Sequence, residues 1–261
     1  MGTGQDMQDL LGAASQNLDH QVTRDLGFVR ELDSTGQIYP RSIDFEVIST
    51  LVQLSAAPSS FATSLRLMAG AGLVSEGFQD GQVGSSAMPH KNNARTCERI
   101  NGLNVVLHGY LAMIGQIAGH QWNEGDVSCS VVRRVSLPGS FFALDGIFQS
   151  LATVLKEMEV FRAAIEVEIK TQLPFISTTK LMTEAVKSGM GREDAHKLIQ
   201  RYSLKALERM RSGESFDFFE ELAADSNSPF TIEFLRGLIS QPHSLTGRAG
   251  EQVDKVLAKA K

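Results

Sequence analysis

The sequence predicts an all-α protein: a long helical bundle followed by a small helical C-terminal domain. Three observations carry that prediction. Apolar residues recur at helical spacing over stretches longer than an ordinary globular helix. Strand-type alternation is nearly absent, Gln37–Tyr39 being too short to count. Beyond Pro174 the texture changes to segments of roughly 8 to 20 residues, a normal helix length, separated by turns bearing glycine and proline.

Taken in order, Ser42 to Ala69 is the first long helix, with Ile43, Val47, Ile48, Leu51, Leu54, Phe61, Leu65 and Met68 at helical spacing. Pro58 lies inside it and should kink or interrupt it, because proline lacks the backbone donor and its ring crowds the preceding turn. The following GAGLV, Gly70–Val74, lacks the GK[ST] of a phosphate-binding loop and reads as a helix exit. Asn93 to Gly119 is the second helix, with a broad apolar stripe from Ile100 to Ile117. A third spans about Val131 to Lys170, with Pro138 inside and Glu157, Glu159, Glu166 and Glu168 on a solvated face. After Pro174, Gly189, Gly191, Gly213 and Pro229 break the chain into shorter helices. A domain boundary near Leu173–Ser177 divides the chain into 1–173, the bundle with a polar loop at 77–94, and 174–261.

Composition narrows the function classes. With 42% hydrophobic and 21% charged residues, 261 residues suffice for a substantial buried core. A net charge of −5 lacks the basic excess of a nucleic-acid binder, and no apolar run approaches the ~18 residues of a membrane span. Cys97 and Cys129 match neither a disulfide framework nor a zinc knuckle. No histidine pair has metal-ligand spacing, so no metal site is expected, and His108, His120 and His196 read as structural or surface residues. A reducing cytoplasm is the expected setting.

The stretch QVGSSAMPHKNNART, Gln82 to Thr96, interrupts this helical chain with small and polar residues. Ser85 and Ser86 offer hydroxyls and amides that could hold an anion, and Lys91 and Asn93 add a cation and an amide. A serine hydroxyl acts as a base only where oriented dipoles and a cation stabilise its alkoxide. Spacing alone fits a catalytic loop and a solvated connector equally.

GSSAMPHKNN, Gly84 to Asn93, closely resembles the GSSxMPxKxN signature of the fumarase/aspartase superfamily. Within it, TGQIYPRSID (Thr35–Asp44), CERING (Cys97–Gly102), QWNEGDVSCSVVRR (Gln121–Arg134) and LTGRAGEQV (Leu245–Val253) resemble the adenylosuccinate lyase family. That resemblance implies an all-α fold whose central bundle assembles into a homotetramer. It also implies a trans β-elimination of fumarate from succinyl-nucleotides, in purine synthesis, with no metal or organic cofactor. Ser85 is then the general base, in a mobile loop that closes over substrate, with Gly77, Gly81 and Gly84 permitting the closure. Ser86, Lys91 and Asn93 would bind succinyl carboxylates and Gln37 the succinyl portion. Arg99 would lie near the nucleotide, and Ser130 and Arg134 at its phosphate and ribose. On residues alone Arg99 is a surface helix residue beside Glu98. The opening GTGQDMQDLLG resembles the middle of a lyase central domain, so the N-terminal domain and the general-acid histidine are expected upstream of Met1, and the chain alone is expected to be inactive.

Two positions depart from the family pattern. Ala94 stands where proline often follows the asparagine, and Gly125 where an arginine is usual. Phosphate binding would then rest more on Arg134, Arg133 or a residue of another subunit. The competing expectations are a 3-carboxy-cis,cis-muconate cycloisomerase, an argininosuccinate lyase, or a non-catalytic helical scaffold.

Overall fold

A computed structural model describes residues 4–77, 93–120, 127–240 and 245–260. Helix dominates throughout, and the described residues contain one sheet, of two short strands. The chain separates into two compact units, Met1–Phe161 and Arg162–Lys261.

The first unit begins with two short helices, α1 (Gln5–Leu11) and α2 (Leu18–Asp25), which bury no residue. Its body is three long helices: α3 (Ser42–Gly70), α4 (Arg95–Ile117) and α5 (Val127–Glu157). Pro58 neither ends nor interrupts α3; it is a buried residue of a helix that runs through it. Pro138 is likewise internal to α5. At Pro58, burial in the bundle offsets the lost backbone bond, which is how tertiary contacts override local propensity.

Two apolar clusters hold the bundle and reveal its direction. At one end Ile48 and Leu51 of α3 meet Ile114 and Ile117 of α4 and Cys129 and Leu144 of α5. At the other, Ala62 and Leu65 meet Cys97 and Ile100, together with Ile147 and Val154. Successive helices therefore run antiparallel. The core face of α5 carries buried Ser136, Ser140 and Ser150, and both Ser136 and Ser140 donate to carbonyls four residues back, at 2.5 and 2.6 Å. Small residues there let helices approach closely: a Cβ at Gly139 would stand 2.5 Å from the Tyr110 ring.

The third helix stops earlier than its periodicity suggests. After Glu157 the chain turns into strand β2 (Glu159–Val160), which pairs antiparallel with β1 (Val74–Ser75), Val74 opposite Val160 and Ser75 opposite Glu159. Helical spacing resumes in α6 (Arg162–Ile176), so the 131–170 pattern is two helices separated by a strand. Two-residue strands are too short to leave an alternation in the sequence.

The second unit contains α6, α7 (Thr178–Lys187), α8 (Arg192–Ser212), α9 (Phe218–Ala224), α10 (Ile232–Ile239) and α11 (Ala249–Ala260). Pro174 lies inside α6, so the 173/174 boundary read from sequence falls within a helix. Leu181, Leu198, Phe218, Leu222 and Leu235 form its core. Gly213 ends α8 in the left-handed region, φ 74°, and Asp217 caps α9 by accepting the amides of Phe219 and Glu220, both at 3.0 Å.

Candidate active site

The signature motif enters the described structure at its two borders. On the near side β1 leads into Glu76 and Gly77; on the far side Asn93 and Ala94 lead into α4. Ser85, Ser86 and Lys91 lie outside the described residues, as does Gly125. The mobile-loop expectation for 78–92 therefore falls outside them too.

Ala94 at the N-cap of α4 has no side chain able to satisfy the helix's first amides. A residue from across the motif does so instead. The Glu76 carboxylate accepts the amide of Thr96 at 2.9 Å and that of Cys97 at 2.9 Å. Glu76 is only 4% exposed, an unusual place for a carboxylate unless it is fully hydrogen-bonded. Gly77, at the edge of the described residues, packs tightly against Glu157. Its φ is 94°, and a Cβ there would lie 2.5 Å from both the Cβ and the carbonyl oxygen of Glu157. Ser75 Oγ accepts the Gly77 amide at 3.1 Å.

Beside this junction lies a cavity of about 650 Å3 whose lining includes Arg66, Ser75, Asn93, Glu98 and Phe161. Arg66 donates to Asn101 Oδ1 at 2.9 Å, which aligns α3 against α4. The cavity thus holds an amide, a carboxylate and a guanidinium group. Arg99 is exposed and does not line it. The Cys97 thiol, fully buried behind the first turn, is pushed up to about 12 by burial first and by the Glu76 carboxylate second. It is packing, not a nucleophile.

The remaining site residues occupy the opposite end of the bundle. Gln37 is exposed in the segment before α3; Ser130 and Arg134 lie one turn apart near the start of α5, half-buried and exposed respectively. A buried network joins these two segments. Tyr39 Oη donates to Asp44 Oδ1 at 2.7 Å, Arg133 Nε donates to Asp44 Oδ2 at 2.6 Å, and Arg133 Nη2 donates to Tyr39 Oη. The Arg41 guanidinium stacks 4.7 Å above the Tyr39 ring. Burial, then the bond to Asp44, raises the Tyr39 phenol above its ordinary value. Arg133 is therefore committed to Asp44 and Tyr39.

The two groups cannot meet within one chain. Arg99 lies level with Leu151 of α5, as the Ile100–Ile147–Val154 cluster requires, whereas Ser130 begins that helix. At 1.5 Å per residue the gap is roughly 30 Å. No small substrate spans it.

Comparisons with known proteins give the family. Residues 174–256 match the model described as adenylosuccinate lyase C-terminus, and residues 12–109 match the model described as lyase. Adenylosuccinate lyase of Saccharomyces cerevisiae is 34% identical over 244 residues, 93% of this chain and 50% of that protein. The chain belongs to the adenylosuccinate lyase family. The Schizosaccharomyces pombe adenylosuccinate lyase is 31% identical over 250 residues, covering 95% of this chain and 51% of that one. The chain thus spans about half the length of these curated family members. Among solved structures, 3-carboxy-cis,cis-muconate lactonizing enzyme from Pseudomonas putida superposes with a TM-score of 0.74 at 19% identity, covering 95% of this chain and 54% of that one. Fumarate lyase from Mesorhizobium sp. BNC1 gives 0.70 at 19%, with the same coverage. At such identities these two establish the fold alone.

Sequence reasoning missed Glu76, Arg66 and Glu98 around Asn93, and the role of Asp44. Asp44 had a signal, an acid in the first turn of a long helix beside Tyr39 and Arg41. Glu76 had none, because its partners lie twenty residues away.

Proposed function

We propose that the chain contributes to an adenylosuccinate lyase, eliminating fumarate from adenylosuccinate and from succinyl-aminoimidazole carboxamide ribotide in purine biosynthesis. Ser85 takes the proton from the succinyl carbon beside a carboxylate. The electron pair expels the nucleotide nitrogen, which a general acid protonates as the C–N bond breaks. Ser86, Lys91 and Asn93 hold the succinyl carboxylates, Gln37 contacts the succinyl portion, and Arg99, Ser130 and Arg134 engage the nucleotide. An arginine fork suits phosphate because it donates two parallel bonds. No metal or organic cofactor is used, and the setting is cytoplasmic.

The observation that carries this reading is the separation of the candidate residues. Asn93 borders a cavity at one end of the bundle, while Gln37, Ser130 and Arg134 lie roughly 30 Å away at the other. A site using both groups draws them from different copies, which requires assembly; a homotetramer satisfies that requirement. Exposed apolar residues of α5, among them Val131, Val135, Phe141 and Phe142, supply surface for it. The described residues contain no helix long and apolar enough to cross a membrane.

Complementation tests this. The chain is mixed with full-length S. cerevisiae adenylosuccinate lyase in which the serine matching Ser85 is alanine, and fumarate release from adenylosuccinate is followed. Neither component alone should turn over; the mixture should, and Ser85→Ala in the chain should abolish it. An inactive mixture that nonetheless co-assembles would overturn the reading, as would turnover of carboxymuconate in place of adenylosuccinate.

A further inference from the structure

Outside the residues assigned above, the Glu76 carboxylate is a buried charge held by two backbone amides. A helix normally caps its first amides with a local serine, threonine, aspartate or asparagine. Here Ala94 provides none, and the cap comes from a residue twenty positions earlier, on a different element. Such a cap ties two elements together as well as satisfying amides.

The side of the tie that bears the carboxylate is rigid. Residue 76 follows β1, which is paired to β2; Ser75 Oγ accepts the Gly77 amide; and Gly77 fits against Glu157 so closely that no side chain can enter. The other side is the first turn of α4. Asn93 immediately precedes its N-cap, and Glu98 lies four residues after it. Both line the cavity, as do Ser75 and Ala94, the neighbours of the two tied points. Glu76 also occupies amides that make a helix N-terminus attractive to anions. Substrate carboxylates must therefore be held by side chains, whose positions depend on where this turn sits.

We propose that Glu76 is a positioning residue for the elimination, fixing the first turn of α4 and so the placement of Asn93 and Glu98 in the cavity; this rests on the lyase reading above. The informative variant is Glu76→Gln, which fills the same space and keeps one of the two bonds. Its amide nitrogen is a donor facing a backbone donor, so the other amide loses its partner.

In the complementation assay Glu76→Gln should lower kcat by about 100-fold, the scale of a 1 Å misplacement of a catalytic group, with KM little changed. Amide exchange at Thr96 and Cys97 should speed up together. Asp217→Ala is the control: Asp217 caps α9 with the same two-amide contact in the second unit. It should lower the melting temperature and leave kcat unchanged. Normal kcat in Glu76→Gln overturns the proposal while leaving the lyase reading intact. So does a kcat loss that Asp217→Ala reproduces, since stability alone would then account for it. Absence of turnover with the unsubstituted chain overturns both.

Discussion

Asp44 is buried at 3% exposure, and its carboxylate is held by Tyr39 and Arg133, with Arg41 Nη1 at 3.9 Å. A buried charge pair adds little net stability, yet removing one partner strands the other. Arg133→Met should therefore cost about 3 kcal/mol, read by denaturant unfolding, and should raise KM in the complementation assay by releasing the segment that carries Gln37. Cys97 gives a second check. Its thiol, raised to about 12 in the fold by burial and Glu76 against an ordinary value of 9.0, is neutral when protonated. That contribution is complete below pH 9 and is lost as pH rises through the folded value near 12. Stability should fall across this alkaline window, and Cys97→Ala should flatten that part of the profile. At neutral pH the thiol should resist alkylation until the chain unfolds.

At the scale of elements, the long helices were legible because a three-helix bundle needs an apolar face on each. Ile48 and Leu107, both at 0% exposure, are members of those stripes. Pro58 misled: local chemistry expects a kink or a break, whereas α3 runs through it with Pro58 buried in the bundle. The break after Glu157 was illegible because Glu159 and Val160 continue an acidic, helix-compatible pattern; their partners, Ser75 and Val74, are remote in sequence. The motif GSSAMPHKNN could be read by residue type, whereas its supports could not. Glu76 and Gly77 matter through contacts with Thr96, Cys97 and Glu157, which no local spacing encodes. Gly77→Ala tests this element directly. The left-handed φ of 94° and the 2.5 Å approach to Glu157 backbone together should cost about 3 kcal/mol. Gly72→Ala, also at positive φ but with open space around it, should cost only about 1 kcal/mol. Equal losses in the two variants would remove the packing role assigned to Gly77.

For the whole molecule, α5 is the decisive helix because it is apolar on two faces. One face buries Ser136, Ala143, Ile147 and Val154 against α3 and α4. The opposite face exposes Val127, Val131, Val135 and Phe142 along one stripe, with Phe141, Phe148 and Leu155 at seven-residue spacing beside it. Phe142 is 76% exposed. A helix apolar all round belongs inside a larger bundle, and seven-residue spacing is the pattern of helices that pack side by side. Scattered surface hydrophobics need no explanation, whereas exposed apolar residues aligned on one face of a helix are a candidate contact surface. Phe142→Asp should therefore leave the monomer folded, since the ring touches little within its own chain, while preventing self-association. Sedimentation should show a shift to the monomer with an unchanged helical circular dichroism signal. Because Asn93 and Arg134 lie at opposite ends of each bundle, the same variant should also abolish activity in the complementation assay. An assembled but inactive Phe142→Asp chain would place the contact elsewhere. A monomeric chain that still complements would show that one copy can complete the site, and the roughly 30 Å separation would then lose its functional meaning.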